Sequence, residues 1–133
     1  MRTIFLIMIG GAVGTLLRYL ISVGMKESLG SGFPFGTMAV NIIGCLAIGV
    51  LGYMFAFRPG WQSDEMQPYR LAIMIGLLGG FTTFSSFGYE TFQLLKDQQI
   101  TKVVLNVAIS NCLGLLAVWA GYTFADKMLF GQG

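Results

Sequence analysis

Residues 28–57 carry no charged side chain, and neither do 3–17, 71–89 or 103–125. That pattern limits the fold more than any other feature of the chain. About 20 apolar residues in a helix cover the roughly 30 Å hydrocarbon core of a bilayer, at about 1.5 Å per residue. Hydrocarbon offers the backbone no water, so each run must satisfy its own amides as a helix. The runs predict spans at about 4–25, 36–57, 71–95 and 103–125. The expected class is an all-α membrane protein with four transmembrane helices. Residues 1–133 are expected to form one integral membrane domain with almost nothing outside the bilayer.

The polar punctuation agrees. FPFG at 33–36 starts the second span, because Pro34 ends any earlier helix. RPGWQSDEMQPYR at 58–70 reads as the one clearly aqueous connection, with Trp61 and Tyr69 suited to an interface. KDQQITK at 96–102 reads as a short polar turn. The N-terminal MRTIFLIMIGGAVG has the charge and apolar run of a signal peptide. No A-x-A-like site follows and Arg18 comes too soon, so it reads as a retained first span.

Several function classes fall away. A net charge of +2 offers no basic face for nucleic acid. There is no histidine, which removes the commonest general base, metal ligand and proton relay. Cys45 and Cys112 each lie inside an apolar span and lack the spacing of a zinc or redox pair, so they read as small packing residues. Gly10 with Gly14, and Gly76 with Gly80, are small-xxx-small pairs. They predict close helix contact and an oligomer interface.

Orientation is weakly encoded. Four spans put both termini on one side. That side holds Arg2, Arg58, Arg70 and Lys127; the other holds Lys26, Lys96 and Lys102, with Arg18 inside the first span. Orientation follows the Lys and Arg excess, and here the excess is one residue or none. Insertion both ways round, and pairing of opposite copies, is the expectation.

Polar side chains inside the membrane are costly, so each is a site candidate. They recur every four residues along single faces: Gly10, Gly14 and Arg18; Thr37, Asn41 and Cys45; Asn106, Ser110 and Gly114. Asn111 falls on another face and reads as interhelical glue. Two readings of Arg18 stand at this point, snorkelling to the interface or anchoring a vestibule. Asn41 likewise reads as either interhelical glue or a path lining. GGFTTFSSFGYE at 79–90 holds the densest polar cluster. Its glycines and β-branched threonines predict a break near the middle of the third helix. Freed carbonyls there can coordinate a small hard cation, or hydroxyls can satisfy them. Beyond the break, Phe84 and Phe87 share a face and alternate with Ser85 and Ser86. Aromatic edges are electropositive. Together with Asn41, Ser85, Ser86 and Ser110, they suit an anion path with no full positive charge in it.

The chain resembles the CrcB/Fluc fluoride channels over essentially its whole length. The resemblance rests on GGAVGTLLRY at 10–19, GTMAVNIIG at 36–44 and GGFTTFSSF at 79–87. It implies a dual-topology antiparallel homodimer in the cell (plasma or inner) membrane, with two pores that pass fluoride out of the cell. It implies that Asn41, Phe84 and Phe87 face the ion, with Ser110, Thr37 and Glu90 on the hydroxyl track. It also implies a structural Na+ at the dimer centre, held by the Gly79 and Thr82 carbonyls. Ser86 stands where the family commonly has threonine, Gly88 where a hydroxyl is common, and Gly114 where a third hydroxyl is often found.

Other classes fit less well. A proton-coupled small multidrug exporter needs a deep carboxylate; the first span has none and Glu90 lies late in the third. An enzyme lacks a plausible nucleophile–base pair. A purely structural subunit leaves the aligned polar faces unexplained.

Overall fold

The computed structural model describes residues 1–131, and these are helical apart from short turns. The order is α1 (Arg2–Leu29), α2 (Phe35–Phe57), a 3-10 turn (Asp64–Met66), α3 (Gln67–Leu71), a π-helical segment (Ala72–Leu78), α4 (Gly79–Phe81), α5 (Phe84–Lys96) and α6 (Ile100–Phe130). Four stretches are long and apolar enough to cross a membrane: Arg2–Leu29, Phe35–Phe57, Asp64–Lys96 and Ile100–Leu129. The four-span expectation holds, but the ends differ. The third span begins at Asp64, inside the predicted aqueous connection. The turn before α6 shrinks to 97–99, with Gln98 in the left-handed region.

The third span is built from short pieces, and α1 lies directly on it. A Cβ on Gly10 or Gly14 would overlap the carbonyls of Ala72 or Leu77, and one on Gly76 or Gly80 would overlap those of Ile7 or Gly11. Both small-residue pairs therefore pack α1 against the third span within one chain. Gly10 and Gly14 line neither cavity. α2 and α6 make the other close pair, with Gly49 and Gly121 allowing the same backbone approach. The interior is thin. Among the described residues, the largest fully buried side chains are Val40 and Asn106, while Phe84, Leu115, Trp119 and many other large apolar side chains are exposed. On a membrane protein that surface meets lipid or a second chain.

The break is narrower than the sequence suggested, and the glycines do not make it. Gly79 keeps helical angles (φ −65, ψ −36). The backbone turns extended only at Thr82 (φ −89, ψ 159) and Thr83 (φ −154, ψ 114). Thr82 still closes the helix behind it, its amide and hydroxyl both donating to the Leu78 carbonyl at 2.9 Å. Thr83 opens the next helix. Its hydroxyl oxygen accepts the Ser86 amide at 3.1 Å, the ordinary role of a threonine N-cap. Gly44 on α2 leaves room for the Thr82 methyl, which seats the break against that helix.

Candidate functional site: a polar seam with two cavities

Asn41 ties α2 to the break by two hydrogen bonds. The Thr83 amide donates to Oδ1 at 2.8 Å, and Nδ2 donates to the Thr83 carbonyl at 3.0 Å. A carboxamide matches a peptide group in shape and polarity, so it replaces the helical partners that Thr83 gives up. The interhelical reading of Asn41 holds. It is interhelical glue, and it lies on the polar seam with one N–H to spare.

A cavity opens on each side of this clamp, and Thr83 lines both. The first, about 650 Å³, is bordered by Arg18, Lys26, Thr37, Ser86, Glu90 and Asp97. The second, about 440 Å³, is bordered by Asn41, Thr82, Phe84, Phe87, Ser110 and Asn111. The α2 face read from the sequence runs along both, Thr37 on the first and Cys45 on the second.

In the first cavity Thr37 donates to Glu90 Oε1 at 2.8 Å. Glu90 Oε2 is buried and has no partner among the described residues. Arg18 turns inward rather than snorkelling, its guanidinium 3.4 Å from the Thr82 carbonyl. Thr83 Oγ1 donates to Ser86 Oγ at 3.1 Å, which leaves the Ser86 proton unclaimed. Ser85 is exposed, with its hydroxyl 3.2 Å from that of Thr83.

In the second cavity the Phe84 and Phe87 rings lie 5.6 Å apart, tilted by 40°. Phe84 is 82% exposed, so one wall of this cavity is open. Ser110 donates to Asn106 Oδ1 at 3.4 Å, and Asn106 donates to Thr91 at 2.8 Å. Asn111 bonds within its own helix, to the Val107 carbonyl at 2.7 Å, not across helices as the sequence reading had it. Gly114 is buried against Cys45.

Sequence reasoning left two contributors out. Thr83 holds the clamp and the cap; a threonine just before a helix restart was the available signal. Thr91 joins α5 to α6 through its bond to Asn106, a contact with no signature in either helix alone.

Four lipid-length helices and a polar seam crossed by one amide clamp define a multi-pass membrane protein with two cavities along that seam. Residues 5–122 match the family described as CrcB-like protein, Camphor Resistance (CrcB). A relative in Geobacter sulfurreducens, named a fluoride-specific ion channel FluC, is 45% identical over 128 residues, covering 96% of this chain and 100% of its own. A Flavobacterium psychrophilum protein of the same name is 38% identical over 130 residues, covering 96% and 100%. A third, from Methylococcus capsulatus, is 38% identical over 98% of this chain, which spans 55% of that protein's length. The chain belongs to the CrcB-like family. Its relatives carry the name of a channel, not of an enzyme.

Proposed function

We propose that this chain forms a fluoride channel that lets the ion leave the cell passively. The observation that carries this reading is the second cavity. It offers two aromatic rings, a serine and two asparagines, with no formal charge in its lining. Such a lining meets a small, strongly hydrogen-bonding anion with donors and ring edges, yet does not trap it with a cation. The names of the relatives supply the identity of the ion.

The working unit is an antiparallel homodimer with dual topology. The 82% exposure of Phe84 supports it, because a pore wall facing outward needs a neighbour to close it. The near-equal Lys and Arg counts on the two sides support insertion both ways. The residues at the break also fit a structural Na+. The Thr83 amide goes to Asn41 instead of the Gly79 carbonyl four residues back. The Thr82 carbonyl leaves the helical ladder and accepts only a long contact from Arg18, leaving it a second lone pair. Nothing lies within 4 Å of a Cβ built on Gly79, so that face is open to another copy. Two carbonyls from each of two chains would hold the ion as an oxygen-ligated hard cation.

Liposomes loaded with fluoride or with chloride test the function. Reconstituted protein should release fluoride and retain chloride. Equal release of both, or no release of fluoride, sinks the reading. A cysteine introduced at a terminus should react with an impermeant label from both sides of intact cells; labelling from one side alone defeats dual topology.

A further inference from the structure

Asn106 borders neither cavity, yet at 1% exposure it is the most buried polar side chain among the described residues. It stands in a run of hydrogen bonds from the Phe87 backbone to Ser110. The directions in that run are forced. The Phe87 carbonyl only accepts, so the Thr91 hydroxyl donates to it, at 2.6 Å. Thr91 has one proton, so its oxygen accepts from Asn106 at 2.8 Å, and the atom facing it is Nδ2. Oδ1 therefore faces Ser110. A carbonyl oxygen only accepts, so Ser110 donates, at 3.4 Å.

We propose that Asn106 is a positioning residue that holds the Ser110 proton back from the ion. A serine has a single O–H. While that proton lies on Asn106, Ser110 turns lone pairs toward the second cavity, and lone pairs repel an anion. The ion gains Ser110 as a donor only by drawing the proton off Oδ1. The bond it displaces is long, against about 2.7–2.8 Å for a good O–H···O bond. A strong acceptor such as fluoride displaces it readily, and the amide reclaims the proton when the ion moves on. The asparagine thus weakens binding at Ser110, which a conducting path requires. Ser86 differs: Thr83 donates to its oxygen, and among the described residues no side chain is seen to accept its proton.

This inference rests on the fluoride reading above. The test is the fluoride concentration that half-saturates efflux in liposomes. Asn106→Leu removes the competing acceptor at similar volume. The half-saturating concentration should fall about threefold to tenfold, the range of one neutral hydrogen bond, and the maximal rate should not rise. Thr91→Val frees the amide to turn over and should shift it the same way, by less. In a Ser110→Ala background neither substitution should shift it. A packing role predicts the reverse, weaker apparent binding or slower efflux whether or not Ser110 is present, and that result overturns the proposal. If Asn106→Leu does not assemble, Thr91→Val with and without Ser110→Ala carries the same test. A parent protein that passes no fluoride would instead defeat the fluoride reading, so the two failures are distinct.

Discussion

The two cavities share Thr83 but offer an ion different things. The first is bordered by Arg18, Lys26, Glu90 and Asp97, two cations and two carboxylates. The second has no charged residue in its lining. Charge acts over a Debye length and gathers ions from bulk water. Neutral donors act only at contact, where the strength and size of the acceptor decide. On the fluoride reading, the first cavity would act on ions at a distance and the second at contact. The Asn41–Thr83 clamp is the wall where one regime gives way to the other.

Removing that wall should have the largest effect. Asn41→Leu leaves the Thr83 amide and carbonyl without their side-chain partner, at a cost of about 1–3 kcal/mol for each group that stays buried and unpaired. Fluoride efflux should fall at least about 100-fold, and the protein should unfold at a lower temperature. Efflux within a factor of about three of the parent, read by a fluoride electrode, would show that the cavities do not depend on the clamp.

The second cavity alone is addressed by Phe87→Ile. Isoleucine keeps apolar bulk but has no electropositive ring edge. Efflux should fall about tenfold or more while the melting temperature stays near the parent value. Phe84→Ile should lower efflux as well. Unchanged efflux in both variants would reduce the rings to packing.

How much of this was legible in the sequence differs along the chain. The spans were legible because hydrocarbon imposes length and apolarity on each helix separately. Asn41, Phe84, Phe87 and Ser110 were legible as polar or aromatic positions on one face of one helix. The break was legible within 79–83 but proved narrower, confined to the two threonines. Glycine propensity pointed to Gly79, but close packing on α1 keeps that stretch helical, and the bond from Asn41 moves the extended backbone to Thr82 and Thr83. Arg18 was ambiguous because its acceptor, the Thr82 carbonyl, is 64 residues away in sequence. Asn106 was visible on its stripe, but its role depends on Thr91, which another helix supplies. Properties of one helix could be read from the chain; properties of a pair needed the fold.

The first cavity gives the smallest and most diagnostic effect. Glu90 would be an odd residue on an anion's route. Thr37 donates to one of its carboxylate oxygens, and the other is buried without a partner. If the cavity recruits by its field, that carboxylate opposes Arg18 and Lys26. Glu90→Gln keeps the acceptor for Thr37, removes the negative charge and puts donors where Oε2 stands. Fluoride efflux should then rise, by up to about threefold at low ionic strength. The gain should fade as salt is raised toward molar levels, where the screening length drops to about 3 Å. Asn41→Leu and Phe87→Ile should show no such fading, because they act at contact distance. A Glu90→Gln effect that ignores salt would mean the carboxylate touches the ion directly, and the division between a recruiting and a selecting cavity would fail at that residue.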